Sequence, residues 1–383
     1  MLHYLRDYAR PTETFVVNQV CSLQTYSSEV LCRRQRIDVP ASTTGSPVEV
    51  HSFAATERRI GHGDEMLYRM RVLSPSEGRY YANTIVGVHP NLLHAHFGTD
   101  AAYIFSVIRR LRVPLVVSWY GYDIARIPRG MCGLGRLYLW SLLRSRQVMH
   151  LAMTPQMAGE IRAIGAREDS VVVHHHGIDL GYWSKTGTPR REPYLLMVGS
   201  LVEKKGHLHL LRAFAEAGTI YRDVRLVLVG DGPLAKQLTT EAKRLGIASR
   251  VDFLGYVPHS ALLRGLYQSA IAFVHPSTTA RNGDQEGLPG TILEAMASGL
   301  PVVATRHAGI PYAVESGVNG ILVEERCEGE LRDAIVTILG DDQMRRRMGA
   351  QSRKRVNADF DLAKQVQRLE SLYDSFTCGD AAG

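Results

Sequence analysis

Residues 284–299 have the sequence DQEGLPGTILEAMASG, which predicts a loop followed by an α-helix. The glycines and the proline of residues 287–290 favour a tight turn of low bulk. Thr291 and Glu294 have the T-x-x-E spacing of a capping box, in which two side chains satisfy backbone amides at the start of a helix. A glycine and a proline then end the helix before an apolar strand at residues 302–304.

Free amides at a helix N-terminus attract anions such as phosphate, yet Glu286 and Glu294 place two carboxylates at the same end. A bare phosphate would be repelled there. A ligand with a diphosphate in its middle and hydroxyl groups at both ends fits, because amides bind phosphates and carboxylates bind hydroxyls. The pattern therefore favours a nucleotide-sugar. Spacing alone leaves open the alternative that Glu294 only caps the helix and that Glu286 is a solvated loop residue.

A chain of 383 residues is too long for a single ordinary core and predicts two domains. Its hydrophobic content of 45% and charged content of 22% are typical of globular proteins. The sequence has no apolar run of the ~18 residues that a membrane span needs, and its N-terminus lacks the apolar core of a signal peptide. Five widely spaced cysteines without a C-x-x-C pair indicate reduced thiols. We therefore expect a cytoplasmic protein.

The net charge of +7 suits an anionic partner such as a nucleotide diphosphate, an anionic lipid surface or a nucleic acid. Over this length the charge is modest, and a solvated basic surface is the simpler explanation. The sequence has no basic patch interleaved with aromatic residues of the kind that binds RNA, so we expect no nucleic-acid partner. The charge permits peripheral contact with a membrane but does not require it.

Apolar segments alternate with helical patterns, which predicts an α/β protein whose parallel sheets are covered on both faces. In the first half, strands are predicted at residues 3–5, 30–33, 92–97, 115–119, 149–153 and 171–174, and helices at 101–111, 134–143 and 155–164. In the second half, strands are predicted at 194–198, 225–229, 251–254, 271–274, 301–304 and 320–323, and helices at 207–217, 233–245 and 260–267. The predicted domains are residues 1–178 and 192–360, joined by a linker at 179–191 that is rich in turn-forming residues.

Ligands of doubly wound sheets bind at the carboxyl ends of strands, so the cleft between the two predicted domains is the expected site. Lys205 follows the first strand of the second domain, in the segment GSLVEKKG at 199–206. A cation at this place can neutralise a leaving diphosphate. The adjacent Gly206 would let the backbone approach a ligand closely. The alternative is a surface lysine at the start of a helix.

Two further motifs are weaker. The segment GDGP at 230–233 lacks the third glycine of a dinucleotide-binding loop, and it predicts a tight turn from strand to helix. Gly255, Tyr256 and Val257 follow another strand, where backbone groups could bind the edge of a nucleobase or simply form a turn.

Two patterns bear on metal binding. Asp359 and Asp361 form a D-x-D motif, which can hold a metal ion, but they precede the terminal helix and predict an N-cap. The three consecutive histidines at 174–176 cannot all face one metal from a strand, because alternate side chains point to opposite faces. We predict no metal site and no cofactor.

The second half of the chain closely resembles glycosyltransferase family 4, the retaining transferases with the GT-B fold. The likeness rests on the segments VGSLVEKKG, LVGDGPL, VDFLGYV and GDQEGLPGTILEAMASGLPVVAT, which follow one another at family-like intervals. The first half resembles the family more loosely through RPTETFVVNQ, LLHAHFGTD, VVSWYGYDI and HHHGIDL. The resemblance implies two Rossmann-like domains facing a central cleft, with a C-terminal helix at 361–383 that crosses back to the first domain.

The resemblance also implies roles for single residues. Glu286 would bind the hydroxyls of the donor sugar, Glu294 the ribose, and Lys205 the diphosphate. Amides around Gly290 and Thr291 would take the distal phosphate. The expected donor site as a whole comprises Ser200, Lys205, Tyr256, Val257, Glu286, Gly287, Gly290, Thr291 and Glu294, with Tyr256 and Val257 along the base. The expected acceptor site includes Glu13, Thr14, His96 and Gly121.

The chain departs from the family pattern at two places. Ser200 stands where many members carry an arginine, which leaves Lys205 as the expected cation for the phosphates. Tyr120 stands where many members carry a histidine, and a phenol with an ordinary pKa of ~10 is a poor base at neutral pH. The catalytic residues implied by the resemblance are Glu286, Lys205 and Tyr120.

These residues support the hypothesis of a retaining transferase that moves a sugar from a UDP- or GDP-sugar to an acceptor hydroxyl without a metal. Cell-envelope polysaccharide or glycolipid assembly is the role that the resemblance implies, and tailoring of a small natural product is the alternative that the arginine-rich composition and Tyr120 favour. The alternatives are a nucleotide-sugar epimerase or a phosphorylase on the same fold, or a catalytically silent subunit that binds nucleotide-sugars.

Overall fold

The computed structural model describes residues 1–10, 13–36, 48–56, 61–125, 135–184 and 193–379. The chain forms two compact units, of which the first comprises Met1–Gly177 with Leu362–Gly383 and the second comprises Ile178–Asp361. Each unit contains a parallel sheet with helices connecting its strands, which is the α/β architecture predicted from the alternating pattern.

The sheet of the first unit has seven strands in the order β3-β2-β1-β4-β5-β6-β7, all parallel to their neighbours. The strands are β1 (Leu2–Tyr8), β2 (Glu29–Gln35), β3 (Glu49–Ser52), β4 (Leu93–His96), β5 (Leu115–Trp119), β6 (Val148–Ala152) and β7 (Val171–Val173). The helices that precede the second unit are α1 (Thr14–Cys21), α2 (Phe53–Thr56), α3 (His62–Arg69), α4 (Pro75–Val88), α5 (Gly98–Leu111), α6 (Tyr122–Ala125), α7 (Gly135–Leu143) and α8 (Pro155–Ala163). Strands β5 and β6 are buried along their whole length, as expected for a sheet covered on both faces.

The sheet of the second unit has six parallel strands in the order β10-β9-β8-β11-β12-β13. The strands are β8 (Tyr194–Val198), β9 (Arg225–Val229), β10 (Val251–Phe253), β11 (Ala272–His275), β12 (Val302–Thr305) and β13 (Gly320–Val323). The remaining helices are α9 (Leu180–Trp183), α10 (His207–Ala217), α11 (Ala235–Arg244), α12 (Ala261–Ser269), α13 (Gly290–Ala297), α14 (Ile310–Ala313), α15 (Glu328–Gly340), α16 (Asp342–Asp359) and α17 (Leu362–Gly379).

Helix α17 belongs to the first unit, as the resemblance implied. The Tyr373 hydroxyl lies 2.6 Å from Nδ1 of the buried His94. The Glu370 carboxylate accepts hydrogen bonds from the backbone amides of Gln24 at 2.7 Å and Thr25 at 2.6 Å. Side chains of α17 therefore bond both a core strand and the loop after α1.

The predicted linker at 179–191 differs from the structure over its described part. Residues Leu180–Trp183 form helix α9 of the second unit, and the buried Trp183 ring meets the Tyr267 ring edge-on at 5.0 Å between centroids. Turn-forming residues in this stretch suggested a connector, but one large aromatic side chain is enough to fix the first turn to the core. The rest of the predicted linker lies outside the described residues.

Every predicted strand is present, and one observed strand was not predicted. Strand β3 has the sequence EVHS and lies at the edge of its sheet. Polar residues on an exposed edge strand break the apolar pattern by which buried strands are found. Among the described helices, none is both long and apolar enough to cross a membrane.

Candidate active site

The central pair of strands in the second unit, β8 and β11, forms the point where the strand order reverses. The loops that leave the carboxyl ends of these two strands therefore run to opposite sides and open a crevice, the usual ligand position in such sheets. Lys205 lies in the loop after β8, and Glu286 lies in the loop after β11. Lys205 Nζ is 3.0 Å from Glu286 Oε1. The structure thus joins the predicted cation and the predicted sugar-binding acid in one ion pair at the switch point.

Neither member of this pair is a solvated surface group. The side chain of Lys205 is 14% exposed and that of Glu286 is 8% exposed. Burial alone would raise the pKa of Glu286, but the charges of Lys205 and Lys204 outweigh it and hold this pKa at about 2. Glu286 is therefore ionised at neutral pH and accepts hydrogen bonds.

Gly206 lets the two loops approach each other. Its φ is +73°, in the left-handed region, and a Cβ at this position would lie 1.9 Å from the carbonyl oxygen of Pro276. Sequence analysis assigned this glycine to close approach of a ligand. In the structure, Gly206 instead allows the loop after β8 to pack on the residue that follows β11, which aligns Lys205 with the Glu286 loop.

The predicted capping box at the start of α13 is wrong. The N-cap residue is Pro289, and among the described residues no side chain caps this helix. Glu294 Oε2 instead accepts a hydrogen bond from the Tyr267 hydroxyl at 2.7 Å. Tyr267 comes from α12, which the T-x-x-E spacing could not reveal. Glu294 is therefore not engaged in capping.

The pKa values of Glu294 and Glu286 are shifted in opposite directions. Burial raises the pKa of Glu294 to about 7, and the hydrogen bond from Tyr267 offsets only part of that effect. Burial also raises the pKa of Tyr267 well above its usual value, so the phenol keeps its proton and acts as the donor. The two acids therefore differ in protonation near neutral pH.

The loop that carries Glu286 leads into α13, whose first turn has free backbone amides. Gly290 and Thr291 occupy its first two positions, where N–H groups have no carbonyl partner within the helix. The Thr291 Oγ1 atom is buried and has no hydrogen-bond partner among the described residues. The Gly287 carbonyl is already used, since it accepts the Gly309 amide at 3.0 Å. Amides and a hydroxyl thus remain available at the start of α13, four residues after Glu286.

The other predicted donor residues lie farther along the same edge of the sheet. Ser200 lies two residues after β8, and its carbonyl accepts the Val202 amide at 2.8 Å. Tyr256 and Val257 follow β10, the edge strand, with Tyr256 51% exposed and Val257 half-buried. The structure therefore places these residues at strand ends, as predicted, but records no contact between them and the ion pair within the described part of the chain.

Two residues that support the backbone of Glu286, His307 and Glu325, were not predicted from the sequence. His307 Nε2 lies 3.2 Å from the backbone amide of Glu286, and His307 Nδ1 lies 2.6 Å from Glu325 Oε1. His307 follows β12 and Glu325 follows β13, so both lie at carboxyl ends of strands. That position is the signal that could have identified them.

The predicted acceptor residues of the first unit also gather at a point of reversed strand order, between β1 and β4. His96 ends β4, and its Nδ1 lies 2.9 Å from the hydroxyl of Tyr120, which follows β5. Burial lowers the pKa of His96 to about 3 and raises that of Tyr120 far above its usual range. Both groups are therefore neutral at physiological pH, and Tyr120 offers a hydroxyl rather than a base.

Glu13, Thr14 and Gly121 complete the predicted acceptor set. Burial raises the pKa of Glu13 to about 7, although Arg10 opposes the shift. Thr14 begins α1, and Gly121 has a φ of +115° and donates its amide to Asp123 Oδ1 at 3.1 Å. The Asp123 carboxylate was not predicted; it holds the Tyr120–Gly121 loop to the start of α5 by also accepting the Gly98 amide at 2.7 Å.

Two groups of side chains have metal-ligating atoms close together in the described residues: His3, His94 and His96, and Glu29, Glu49 and His51. In the histidine group, both ring nitrogens of His94 already lie within hydrogen-bond distance of hydroxyls, those of Tyr373 and Ser118. His3 Nδ1 lies 3.1 Å from His96 Nε2. A buried network of neutral rings accounts for this cluster. In the D-x-D motif, Asp359 ends α16 and pairs with Arg355 on the preceding turn.

Known glycosyltransferases are similar to this chain in sequence. Residues 183–355 match the family described as glycosyl transferases group 1. The chain is 37% identical over 359 residues to the amylovoran biosynthesis glycosyltransferase AmsK of Erwinia amylovora, covering 82% of this chain and 84% of AmsK. It is 30% identical over 289 residues to WcaL of Escherichia coli (strain K12), named for colanic acid biosynthesis, covering 73% of this chain and 69% of WcaL.

A solved structure agrees in fold. The crystal structure of HepE from Anabaena in complex with UDP superposes with a TM-score of 0.76 and 21% identity, covering 98% of this chain and 99% of HepE. The two parallel-sheet Rossmann-like units have the GT-B fold, and the relatives identify the chain as a glycosyltransferase. The chain belongs to the glycosyl transferases group 1 family.

Proposed function

We propose that this glycosyltransferase transfers a sugar from a nucleoside-diphosphate sugar with retention at the anomeric carbon, as a member of family 4. The observation that carries the proposal is the Lys205–Glu286 ion pair at the switch point, 3.0 Å long, whose Glu286 lies in the loop that leads into α13. The pair combines a cation for phosphate with an ionised carboxylate for sugar hydroxyls. The complex of HepE with UDP supports a nucleotide donor, since the two proteins share a fold.

In the proposed complex, Lys205 and the amides of Gly290 and Thr291 bind the diphosphate. Glu286 accepts hydrogen bonds from the donor sugar, and Glu294, in its ionised form, accepts them from the ribose. Backbone groups at Tyr256 and Val257 bind the base. Because Ser200 carries no charge, Lys205 is the principal cation of this arrangement, and its replacement should be correspondingly damaging.

The chemical step that we propose is a front-face substitution. The bond from the anomeric carbon to the phosphate oxygen breaks while a bond to the acceptor oxygen forms on the same face. The departing phosphate oxygen takes the proton of the acceptor hydroxyl, and the products are the glycoside and the nucleoside diphosphate. Lys205 and the helix amides stabilise the charge that grows on the leaving phosphate, which is how preorganised donors lower a barrier. This route requires neither a protein nucleophile nor a metal.

On the acceptor side, we propose that Tyr120 and His96 orient the acceptor hydroxyl, with Glu13 and Gly121 beside them. The names of AmsK and WcaL support an acceptor that belongs to polysaccharide biosynthesis. Peripheral contact with a membrane stays a prediction from the basic charge.

A donor screen tests the proposal. Purified protein is incubated with UDP- and GDP-sugars, with and without a pool of saccharide and lipid-linked acceptors, and release of nucleoside diphosphate is followed. We expect release from one donor class that accelerates with acceptor and a product with retained anomeric configuration. Conversion of the donor without any acceptor to an isomer would establish an epimerase instead, and binding without any turnover would establish a silent subunit.

A further inference from the structure

Glu286 is fixed through its backbone as well as through its side chain. Its amide donates a hydrogen bond to Nε2 of His307 at 3.2 Å. Because Nε2 accepts this bond, the proton of the neutral imidazole is on Nδ1. Nδ1 lies 2.6 Å from Glu325 Oε1, so it donates to that carboxylate. The side chain of His307 is 1% exposed, which excludes water as a competing partner.

Glu325 connects this imidazole to the beginning of the same loop. Its second oxygen, Oε2, accepts the backbone amide of Thr279 at 2.8 Å. Burial alone would raise the pKa of Glu325, but the hydrogen bonds from His307 and Thr279 outweigh it and lower this pKa. One carboxylate on the loop after β13 therefore fixes both ends of residues 279–286.

Lys204, the neighbour of Lys205, holds the opposite side of the loop. Lys204 Nζ lies 3.2 Å from both Asp284 Oδ1 and the Gln285 carbonyl oxygen. The loop is thus held between Lys204 on the β8 side and the His307–Glu325 pair on the β12 and β13 side. A displaced amide at Glu286 would move the carboxylate relative to Lys205.

We propose that His307 and Glu325 are positioning residues that set the Glu286 carboxylate for the hydroxyls of the donor sugar. The inference rests on the proposed function and deepens it. Its consequence is selective: the pair contributes to recognition of the sugar, and it contributes little to recognition of the nucleotide, which Lys205, α13 and Glu294 bind. The protein should therefore bind a nucleotide-sugar and the bare nucleoside diphosphate with different affinities. Part of that difference should come from His307 and Glu325, which contact neither ligand.

Calorimetric titration with matched ligands tests this selectivity: UDP against UDP-glucose, or GDP against GDP-mannose, according to the base that the wild-type protein binds. The variants are His307→Ala, His307→Gln and Glu325→Gln. Glutamine at 307 can accept the Glu286 amide and donate to Glu325, so it should rescue what alanine loses. Glutamine at 325 has an NH2 group in place of one carboxylate oxygen. This donor would face another donor, either His307 Nδ1–H or the Thr279 amide. The matched control is Glu324→Gln, whose side chain is 63% exposed and pairs with Arg306.

We expect His307→Ala and Glu325→Gln to raise the Kd of the nucleotide-sugar about tenfold, as the loss of one charge-assisted bond permits, while the Kd of the bare nucleotide changes less than about twofold. His307→Gln and Glu324→Gln should behave like the wild type. If the variants raised the Kd of the nucleotide-sugar and the Kd of the bare nucleotide equally, or changed neither, the inference would be overturned and the proposed function would stand. A wild-type protein that binds no nucleotide-sugar would overturn the proposed function together with it.

A second measurement is made on the wild-type protein and needs only the His307→Gln variant for assignment. The 15N shifts of the imidazole nitrogens, assigned by the signal that disappears in His307→Gln, report which nitrogen carries the proton. We expect a proton on Nδ1 and none on Nε2 in the wild-type protein at neutral pH. A proton on Nε2 would overturn the inference, because His307 could not then accept the Glu286 amide.

Discussion

The Tyr267 hydroxyl donates a hydrogen bond to Oε2 of Glu294 over 2.7 Å, although sequence spacing pairs Glu294 with Thr291. Burial raises the pKa of Glu294 to about 7, and this hydrogen bond offsets only part of that effect. Glu294 therefore differs from Glu286, whose pKa of about 2 reflects the lysine beside it. The two acids of the motif therefore respond differently to pH and to substitution.

Binding of the nucleotide-sugar should depend on pH through Glu294. If the ionised carboxylate accepts the ribose hydroxyls, affinity rises as pH increases through about 7 and levels off above it. The diphosphate of a nucleotide-sugar does not titrate in this range, so titration calorimetry between about pH 6 and about pH 8.5 isolates the protein group. Glu294→Gln should flatten the profile, and an unchanged profile would exclude Glu294 from ribose binding.

Glu294→Gln should also stabilise the fold while it weakens binding. The pKa of Glu294 is raised from 4.5 to about 7 on folding, so the folded state holds a proton that the unfolded chain has lost in that range. The free energy of unfolding consequently falls as pH rises from about 4.5 to about 7. Removing the group should raise the free energy of unfolding at pH 8 by about 1–3 kcal/mol in urea denaturation. A loss of stability at that pH would contradict the assigned direction.

Replacing both Lys205 and Glu286 should restore most of the stability that a single replacement loses, but it should not restore activity. Lys205→Met leaves a buried carboxylate without its main partner and should cost about 2–4 kcal/mol of unfolding free energy, reduced from the full value because Lys204 remains near. Lys205→Met combined with Glu286→Gln should recover most of that loss, yet both single variants and the double variant should lack turnover. Recovery of turnover in the double variant would mean that the pair is structural.

Gly206→Ala should lower turnover through loop geometry. A Cβ at this position would lie 1.9 Å from the Pro276 carbonyl oxygen and would strain a backbone with a φ of +73°. We expect a loss of about 2–4 kcal/mol of unfolding free energy and at least a tenfold fall in kcat/KM.

Gly246→Ala is the matched control for this substitution. Its φ is +70°, but no described atom lies within 4 Å of the added Cβ. Its cost should be confined to backbone strain, about 1 kcal/mol, with normal kcat/KM. Equal effects of the two alanines on turnover would show that contact with Pro276 does not matter.

Tyr120→Phe should affect the acceptor and spare the donor. The substitution removes the hydroxyl that lies 2.9 Å from His96 Nδ1, while the Phe15 and Phe97 rings that pack on Tyr120 keep their contacts. With the acceptor found by the donor screen, kcat/KM for that acceptor should fall about tenfold. The Kd of the nucleotide-sugar should stay the same. A change in donor affinity of similar size would remove Tyr120 from the acceptor side.

The sequence was sufficient for the fold, because apolar strands are recognisable by themselves. Lys205 and Glu286, which the structure joins in an ion pair, could be singled out because each lies in a glycine-containing segment between a strand and the next helix. His307 and Glu325 also follow strands, and that position could have identified them, but their role comes from two loops that meet only in three dimensions. Similarly, local spacing favoured a cap for Glu294, whereas a tyrosine from another helix provides its actual partner.

The most direct test of the account is the position of a bound nucleoside-diphosphate sugar. A crystal of the wild-type protein soaked with the donor identified by the screen should show the diphosphate within hydrogen-bond distance of Lys205 Nζ and the first amides of α13, with the sugar hydroxyls on Glu286. A diphosphate bound away from Lys205, or a sugar that leaves Glu286 in its ion pair without contact, would contradict the central claim.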